Sequence, residues 1–478
     1  MGGGVRDALL NKTTHDLDFV LTRDSQESSR KIANSLNAAY YPLDDKRKTA
    51  RIIVSTPEGQ RQFLDFAELR GNSIEDDLRA RDFTINAMAL PISQELELID
   101  PLGGAKDLIN RKLRACSINS FLDDPIRIIR AVRQAVAFQL SIVPETKDLI
   151  SESNLRLPGV SRERVRDEIF RILEGPKPET AINILSVLGA LDYILPEISQ
   201  LRDVPQSEPH FQDVYHHSLQ TVSKLNEIFH LLSPERDPEN GMNWASGYLS
   251  VRLSRFRKHL IPHFAKQINP DRTHWSLTLF AALYHDSGKP IASSLSQNGK
   301  IRFLNHENVG AALIHDRTRE LKLSNIEIDW LGSLVKNHMR PLYLTKEGKL
   351  PSRRAVYRFF RDCGERGVDI CMISLADILA AFGPTLDKDL WISHVNTINH
   401  LLESWWEKKS EYISPEKLIT GNDLMMKFDL KAGPVIGKLL SEIQEGQAIG
   451  EINDKESAYK FANGWLVENY GYISSNTG

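Results

Sequence analysis

Two aspartates near the start of the chain have the spacing of a metal-binding pair. Asp16 and Asp18 are separated by one residue, and in a strand their side chains would share one face while Leu17 and Phe19 point into a core. Neighbouring carboxylates stay ionised at little cost only around a cation, and Mg²⁺ prefers oxygen ligands and bridges to substrate phosphates. We therefore expect metal-dependent phosphoryl or nucleotidyl transfer here, with one ion activating a hydroxyl and another holding a triphosphate.

A glycine-rich turn lies just upstream of this pair. Gly3 and Gly4 precede Arg6 in GGGVRD, and bare backbone N–H groups can approach phosphate oxygens closely. Such a turn normally follows a strand, so we expect the true N-terminus to lie upstream of Met1.

A further carboxylate occurs inside an apolar run. Asp65 lies within QFLDF, and burying an unpaired carboxylate is costly. A third carboxylate of the metal site and a salt-bridged edge residue explain it equally well, and both remain open.

Short β-like runs predict strands over Leu17–Leu21, Arg51–Ser55, Phe63–Phe66 and Glu97–Asp100. The segment EDDLRARDFTINAMA predicts an amphipathic helix over Leu78–Ala89. Such a helix would present Arg81, Asp82 and Asn86 on its polar side. Arg81 suits a triphosphate or a ribose hydroxyl, and Asp82 can accept hydrogen bonds from ribose.

Asp124 and Arg127 have the spacing of an acceptor and a donor on one helical face. Pro125 fits the first turn of a helix there. The carboxylate would accept from the amino group of cytosine or adenine and the guanidinium would donate to the ring nitrogen, a pattern that guanine and uracil reverse. A helix cap with an intrahelical ion pair is the simpler explanation of this motif alone.

The second half of the chain carries a set of histidines and aspartates on or beside helical runs. Imidazole and carboxylate ligands together suit a transition metal. The candidate ligands are His217, His285, Asp286, His306, His338 and Asp377, with His216 as a rival to His217.

Length and composition favour several domains of a globular protein. The chain has 478 residues, 41% of them hydrophobic and 26% charged, with a net charge of −3, so it is not as a whole an electrostatic nucleic-acid binder. Neither a signal peptide nor an apolar run of membrane-spanning length is evident, so we expect a cytoplasmic protein. Two basic segments with interleaved aromatics, 251–266 and 353–361, are interpreted as solvated helices unless RNA is a ligand.

Five blocks together resemble the class II tRNA nucleotidyltransferases and bacterial poly(A) polymerases. They occur in the order GGGVRD, HDLDFV, RDFTINAMA, IDPLGGAKDL and DDPIRIIRAVRQA within residues 1–175. The resemblance implies tRNA 3′-end synthesis with two Mg²⁺ ions and an α/β nucleotidyltransferase head of the DNA polymerase beta type, followed by all-α neck, HD and C-terminal helical domains. The expected domains are 1–116, 117–204, 205–395 and 396–478.

The resemblance also implies a role for each block. The metal-binding and catalytic carboxylates would be Asp16 and Asp18, with Asp65 as the third candidate. The nucleotide-binding residues would be Gly3, Gly4, Arg6, Arg81, Asp82, Asn86, Asp124, Arg127 and Arg130. Asp124 and Arg127 would act as an amino-acid template for CTP and ATP, supported by Arg162, Glu163 and Arg164 of a neck helix.

One departure from this family bears on the product. Only 71–74 separate the last predicted strand from the ribose-sensing block, whereas members that complete the whole CCA end carry a long flexible loop there. This favours CC addition, with AMP addition left open. The expected partners are the 3′ end of tRNA, CTP and ATP, with neither a membrane nor an obligatory protein partner.

Residues 205–395 resemble the HD phosphohydrolase superfamily. The resemblance implies that the six candidate ligands bind a divalent transition metal and that a second, phosphohydrolase activity accompanies nucleotidyl transfer. A metal-stapled structural domain is an equal alternative. Three further alternatives for the whole chain are a poly(A) polymerase, a phosphohydrolase whose head binds RNA without catalysis, and a non-catalytic RNA-binding protein.

Overall fold

The computed structural model describes residues 1–14, 16–45, 48–55, 61–92, 97–233, 243–269 and 272–470. The chain forms two compact units, Met1–Pro196 and Glu197–Gly478.

A four-stranded sheet organises the first unit. Its strands are β1 (Asp16–Leu21), β2 (Ala39–Asp44), β3 (Thr49–Ser55) and β4 (Arg61–Glu68). They lie in the order β1-β4-β3-β2, with β1 parallel to β4 and the other two pairs antiparallel. Ala33 of a covering helix packs on Ile52 and Phe66 of the sheet, so one face is apolar and the polar side chains of β1 are left to the other.

Helices make up most of the rest of this unit. They are α1 (Gly3–Leu9), α2 (Ser25–Ser35), α3 (Ile74–Arg79), α4 (Gly104–Ile109), α5 (Ser120–Asp123), α6 (Arg127–Ala137), α7 (Pro144–Ser153), α8 (Arg162–Leu173), α9 (Pro178–Val187), α10 (Leu191–Ile194) and, at the boundary of the units, α11 (Pro196–Ser199). Two short strands, β5 (Lys112–Leu113) and β6 (Ser141–Ile142), pair in parallel.

The predicted helix over Leu78–Ala89 is wrong. Helix α3 ends at Arg79, Phe83 is extended, and only a 3₁₀ turn follows at Thr84–Asn86. Tertiary contacts override the helical pattern because Gly104 packs on this turn, where an added Cβ would lie 2.0 Å from the carbonyl oxygen of Thr84.

The strand predicted over Glu97–Asp100 is also not formed among the described residues. Within 97–100 only Ile99 pairs, through an isolated bridge to Ala89. Strand β2 was not predicted. It lies at the edge of the sheet and contains Pro42, which cannot donate to a neighbouring strand.

The second unit is helical. Its helices are α12 (Val214–Leu232), α13 (Trp244–Leu253), α14 (Arg257–Ala265), α15 (His274–Tyr284), α16 (Lys289–Ala292), α17 (His306–Glu320), α18 (Asn325–Asn337), α19 (Arg340–Leu344), α20 (Arg353–Cys363), α21 (Arg366–Phe382), α22 (Lys388–Trp406), α23 (Lys409–Tyr412), α24 (Gly421–Phe428), α25 (Pro434–Ile449) and α26 (Lys455–Tyr470). Two small antiparallel pairs accompany them, β7 (Gln267–Asn269) with β8 (Arg272–Thr273) and β9 (Ser293–Leu295) with β10 (Ile301–Phe303).

Helix α21 forms the centre of this unit. Among the described residues, Arg366–Thr385 is the one helical stretch long and apolar enough to cross a membrane, and 78% of that window is buried inside the protein. Its apolar character is therefore accounted for by packing against neighbouring helices.

The basic helix α20 is held by acidic residues of the C-terminal helices. Arg354, Arg358 and Arg361 all reach the buried Glu445 of α25, with N···O distances of 3.3, 2.6 and 3.3 Å. These arginines therefore attach α25 to the rest of the unit, and the 353–361 segment has a structural role that does not depend on RNA.

Candidate active site and candidate metal centre

Strands β1 and β4 bring two of the predicted carboxylates side by side. Asp18 and Asp65 are register partners on these parallel strands, and Asp16 begins β1 two residues before Asp18. Burial raises the pKa of Asp18, Asp65 and Asp16 push it in the same direction, and the positive charge of Arg81 opposes them. A divalent cation would relieve this repulsion, so the donor set fits Mg²⁺.

Asp65 also has a cationic partner that the sequence did not reveal. Arg51, opposite it on β3, donates from Nε and Nη2 to the two carboxylate oxygens, each at 2.7 Å. Asp65 is therefore salt-bridged, but on an inner strand rather than at an edge of the sheet. It is also the neighbour of Asp18, and its role in the metal site stays a prediction.

The glycine turn contributes close packing as well as backbone amides. Gly2, at φ +69°, lies where a Cβ would be 2.6 Å from Arg81 Nη1 and 3.0 Å from Asp18 Oδ2. Gly3 and Gly4 open α1, whose first amides have no acceptor within the helix. A Cβ on Gly4 would lie 3.3 Å from the Leu17 side chain, so the first turn of α1 packs closely on β1.

Asp82 is the centre of a buried polar network. Its Oδ1 accepts from the Phe83 amide at 2.8 Å and from Asn86 Nδ2 at 2.9 Å, and its Oδ2 accepts from Arg130 Nη2 at 2.8 Å. Burial alone would raise the pKa of Asp82, but Arg130 and these hydrogen bonds lower it. Asp82 is consequently a fixed, ionised acceptor.

Asn86 and Arg6 lie behind this acceptor. Asn86 donates to Asp82 and to Gln134, and it accepts from Arg6 Nη1 at 2.7 Å. The Arg6 guanidinium stacks 4.0 Å from the centre of the Phe138 ring. Both residues therefore hold Asp82 in place, a positioning arrangement that sequence spacing could not distinguish from direct contact.

Asp124 and Arg127 face the same cleft, and their side chains are not hydrogen-bonded to each other, although the Arg127 amide donates to the main-chain carbonyl oxygen of Asp124 at 3.1 Å. Asp124 lies outside α6 in an extended conformation, and both of its oxygens accept from Arg164 of α8, at 3.0 and 2.7 Å. Arg127 donates to the carbonyl oxygens of Ala80, Arg81 and Ser120. The expectation of a shared helical face is thus wrong for Asp124, although the two side chains line one cleft.

These side chains surround an open cleft of about 390 Å³, a volume within the range of small-molecule sites. The predicted residues that line it are Asp18, Asp65, Arg81, Asp82, Asp124, Arg127 and Arg130, joined by Arg164 and by Arg70 and Asp77, which the sequence did not single out. The carboxylates of Asp18 and Asp65 on the sheet therefore share one cleft with guanidinium groups of α6 and α8, a combination that suits a nucleoside triphosphate with metal ions.

All six predicted metal ligands of the second unit converge in one buried cluster. Asp286 Oδ2 lies 3.4 Å from His217 Nε2 and 3.1 Å from His285 Nε2, while its Oδ1 lies 3.2 Å from His306 Nε2. His306 Nε2 lies 3.4 Å from His338 Nε2, and Asp377 Oδ1 lies 3.0 Å from His217 Nε2. His216 instead bonds Asp213 and is exposed.

The orientation of these imidazoles fits metal ligation. Each Nδ1 of His285, His306 and His338 lies 2.7–2.8 Å from a main-chain carbonyl oxygen three residues earlier. A carbonyl can only accept, so each Nδ1 carries a proton and each Nε2 faces the centre, where it would bind an ion in the neutral form of the ring. Ligand atoms of one tetrahedral ion lie about 3.4 Å apart, close to the distances observed.

Two groups beside this centre were missed by the sequence analysis. Lys289 Nζ lies 2.6 Å from Asp286 Oδ2. Burial alone would raise the pKa of Asp286, but the positive charges of His285 and Lys289 hold it well below its usual range. His210 offers a ligand atom within 4.8 Å of those of His217 and Asp377. Burial lowers the pKa of His210 to about 4, and Lys289 adds to this. The imidazole is therefore neutral at neutral pH.

Three family descriptions match successive parts of the chain. Residues 1–114 match the Poly A polymerase head domain, residues 139–201 match the probable RNA and SrmB-binding site of polymerase A, and residues 259–381 match the HD domain.

Whole-length relatives agree with these matches. An A-adding tRNA nucleotidyltransferase of Deinococcus radiodurans is 30% identical over 98% of this chain and 96% of its own. A CC-adding tRNA nucleotidyltransferase of Thermus thermophilus is 27% identical over 97% and 93%, and one of Geobacter sulfurreducens is 27% identical over 96% and 90%.

Solved structures share the fold at low sequence identity. A complex of a CCA-adding enzyme with ATP superposes with a TM-score of 0.61 at 20% identity, covering 97% of this chain and 90% of that one. The predicted fold class, an α/β head followed by helical domains that include an HD domain, is confirmed. The similarity over nearly the full length of both chains shows that this protein belongs to the tRNA nucleotidyltransferase family of enzymes.

Proposed function

We propose that this protein transfers CMP from CTP to the 3′ end of tRNA lacking its CCA sequence. The observation that carries the proposal is the single cleft that contains both the carboxylate pair of the sheet and the arginine-held Asp124. The carboxylate pair suits a metal-bound triphosphate, and Asp124 suits the base of the nucleotide. A nucleotidyltransferase without a nucleic-acid template requires both in one cleft. The relatives named for tRNA nucleotidyl transfer supply the acceptor.

The carboxylates and arginines would divide the triphosphate between them. Asp16 and Asp18, with Asp65, would hold Mg²⁺, which when bound neutralises the triphosphate and lowers the pKa of the attacking hydroxyl. Arg81, next to Asp18, would bind the phosphates, and the fixed carboxylate of Asp82 would accept from the ribose hydroxyls. The tRNA 3′-hydroxyl releases its proton to water as its oxygen bonds to the α-phosphorus. The bond from that phosphorus to the oxygen bridging it to the β-phosphorus breaks, and pyrophosphate leaves.

The base would be selected by Asp124 and Arg127. Arg164 fixes both oxygens of Asp124, so this carboxylate is oriented before a nucleotide enters. It would accept from the amino group of cytosine, and Arg127 would donate to the ring nitrogen. Three carbonyl oxygens orient the Arg127 guanidinium, which restricts the base to one plane.

CC addition is the specificity that the short connection after β4 favours. Only residues 69–73 separate β4 from α3. Hydrogen bonds fix this segment, since Asp77 accepts from the Arg70 amide and Asp76 accepts from the Asn72 amide. A long flexible loop is not present at this described position. Addition of the terminal AMP to tRNA is the second candidate activity, supported by the A-adding relative. Addition of a poly(A) tail is the third.

The experiment that tests this proposal is transfer of radiolabelled CMP to tRNA lacking CCA, with Mg²⁺ as the metal. We expect the wild type to label the tRNA and the Asp16→Ala/Asp18→Ala variant not to, whereas His285→Ala, in the other unit, should label it normally. Labelling that survives the double aspartate change but is lost with His285→Ala would instead support a phosphohydrolase with an RNA-binding head.

A second activity is proposed for the HD centre, namely hydrolysis of phosphate esters. The six convergent ligands would hold a divalent transition metal, which when bound supplies an activated water. Buried Lys289, 2.6 Å from Asp286 Oδ2, adds a positive charge beside the centre for a phosphate. Release of phosphate from p-nitrophenyl phosphate by the wild type and not by His306→Ala would support this activity. Full retention by His306→Ala would contradict it.

The location and partners follow from this function. Acting on tRNA, the protein would work in the cytoplasm with CTP or ATP as its small-molecule substrate.

A further inference from the structure

The HD centre has one more potential ligand than the six predicted residues. His210 lies just before α12, and its imidazole ring is 4.8 Å from that of His217 in an edge-on arrangement. Its ligand atom lies within 4.8 Å of those of both His217 and Asp377. Two nitrogen ligands of one ion can be at most about 4.2 Å apart, twice the metal–nitrogen bond length. A small side-chain adjustment would therefore bring His210 onto an ion held by the other two.

The segment that carries His210 is fixed in several places. Gln206 accepts from Lys289 Nζ at 2.6 Å and donates to the carbonyl of Gln212 at 3.3 Å. Ser207 Oγ accepts from the amide of Ile301 at 3.0 Å, which ties the segment to β10. Lys289 in turn contacts Asp286, so the segment is linked to the centre itself.

Packing fixes the same segment to the helix that carries Asp377. Phe211 lies against Gly383, which directly follows α21, and a Cβ on this glycine would be 2.6 Å from the Phe211 ring. Gly383 has φ +48°, so both its conformation and its lack of a side chain favour this contact. His210 is therefore positioned by neighbours on both sides, as ligands of metal centres usually are.

The two ends of the centre are unequal in their protein ligands. The Asp286 carboxylate faces His217 and His285 with Oδ2, and His306 and His338 with Oδ1, so it can bridge two ions. Asp377 lies on the side of His217 and His285, and His210 adds to that side. The ion beside His306 and His338 would have fewer protein ligands and more positions open to substrate.

We propose that His210 is a seventh ligand residue of the HD centre, which binds the ion shared by His217 and Asp377 and makes the two cation positions unequal. This inference rests on the proposed metal centre. His210 would exclude water from its own ion and leave the phosphate ester to bind the ion next to His306.

Co²⁺ binding to the full-length chain tests the proposal without an activity measurement. Excess Mg²⁺ is added to fill the carboxylate site of the first unit, so that the Co²⁺ that binds is at the HD centre. Imidazole ligands favour Co²⁺, whereas carboxylates suit Mg²⁺. The wild type should show two classes of Co²⁺ site by equilibrium dialysis. His210→Ala should weaken one class by at least about 10-fold, the smaller loss typical of an outer-shell partner, leave the other unchanged and alter the visible Co²⁺ absorption bands.

His216→Ala is the matched control, since His216 is a neighbouring exposed histidine bonded to Asp213. It should bind Co²⁺ as the wild type does. If His210→Ala binds Co²⁺ with the same affinities and absorption bands as His216→Ala, His210 is not a ligand. If the wild type binds no Co²⁺, the metal centre itself is wrong. If the alanine variant does not fold, His210→Asn replaces it. Its melting temperature without metal, compared with that of the wild type, shows whether it is folded.

Discussion

Arg51 and Asp65 lie opposite each other on β3 and β4 and form a bidentate ion pair, with both N···O distances at 2.7 Å. On its other side, Asp65 is the register partner of Asp18. One carboxylate is thus shared between a guanidinium and the proposed metal site. The two explanations of Asp65 can be tested separately, because the ion pair can be removed at Arg51 while the Asp65 carboxylate is kept.

We expect Asp65→Asn to slow CMP transfer on the order of a hundredfold and to raise the Mg²⁺ concentration needed for half-maximal rate. The control is Arg51→Gln, which breaks the same ion pair but keeps the carboxylate. Both residues are partly exposed, so loss of the pair should cost at most about 1 kcal/mol of stability. Equal losses of transfer in the two variants would show that Asp65 acts only through its ion pair.

Asp124 should control the choice of base. In Asp124→Asn, one acceptor oxygen becomes a donor amide, so pairing with the amino group of cytosine weakens and pairing with the uracil carbonyl becomes possible. We expect the preference for CTP over UTP, measured as a ratio of kcat/KM, to fall by about 10- to 100-fold, since one good base contact contributes about 1–3 kcal/mol. Asp123→Asn, at the exposed preceding residue, should keep the wild-type ratio. An unchanged ratio in Asp124→Asn would remove Asp124 from base selection.

Asn86 should act through Asp82. Asn86→Ala removes hydrogen bonds to Asp82, Gln134 and Arg6 in a buried position. We expect the free energy of unfolding to fall by about 1–3 kcal/mol and the KM for CTP to rise, because Asp82 loses one of the contacts that orient it. Asn110→Ala, at an exposed site, should change neither quantity. A rise in KM with unchanged stability would indicate direct contact with the nucleotide.

A buried ion pair in the second unit should make stability depend on pH. His263 Nε2 lies 2.7 Å from Asp369 Oδ2, and Thr278 donates to the other oxygen. Burial alone would lower the pKa of His263, but Asp369 and Glu365 raise it to about 9 from an ordinary value of 6.5. The stabilisation is therefore complete below pH 6.5 and is lost as the pH rises toward 9.

The difference in stability between the wild type and His263→Gln isolates this effect, since other titrating groups cancel. We expect the wild type to lose up to about 3 kcal/mol relative to the variant between these two pH values. Urea unfolding followed by tryptophan fluorescence is suitable, because Trp330 lies beside His274, whose ring is in contact with His263. A difference that stays constant over this range would contradict the assignment of a protonated His263.

The sequence predicted the parts of the fold whose residue pattern agrees with their packing. Strands β1, β3 and β4 carry β-branched and aromatic residues in the sheet, and all were expected. The conformation after α3, within the predicted helix Leu78–Ala89, was not expected, because the helical pattern is overridden by contacts such as that of Gly104 with Thr84. The four-domain division of the chain remains a prediction.

The candidate sites were predictable to a different extent. The six HD ligands were predicted from histidines and aspartates on or beside helical runs and from the HD resemblance, and the structure brings all of them together. Arg51 and His210 were missed because an arginine in a strand and a histidine in an irregular segment carry no periodic signal. The positions of Asn86 and Arg6 behind Asp82 depend on tertiary contacts with Gln134 and Phe138, which no local pattern encodes.

The most direct test of the account is the length of the product made from tRNA lacking its CCA end. The purified chain would be incubated with Mg²⁺ and CTP, with and without ATP, and the products resolved to single nucleotides. We predict growth by two residues with CTP alone, and no further growth when ATP is added. A third residue with ATP would contradict CC addition, and no growth with either nucleotide would contradict tRNA nucleotidyl transfer itself.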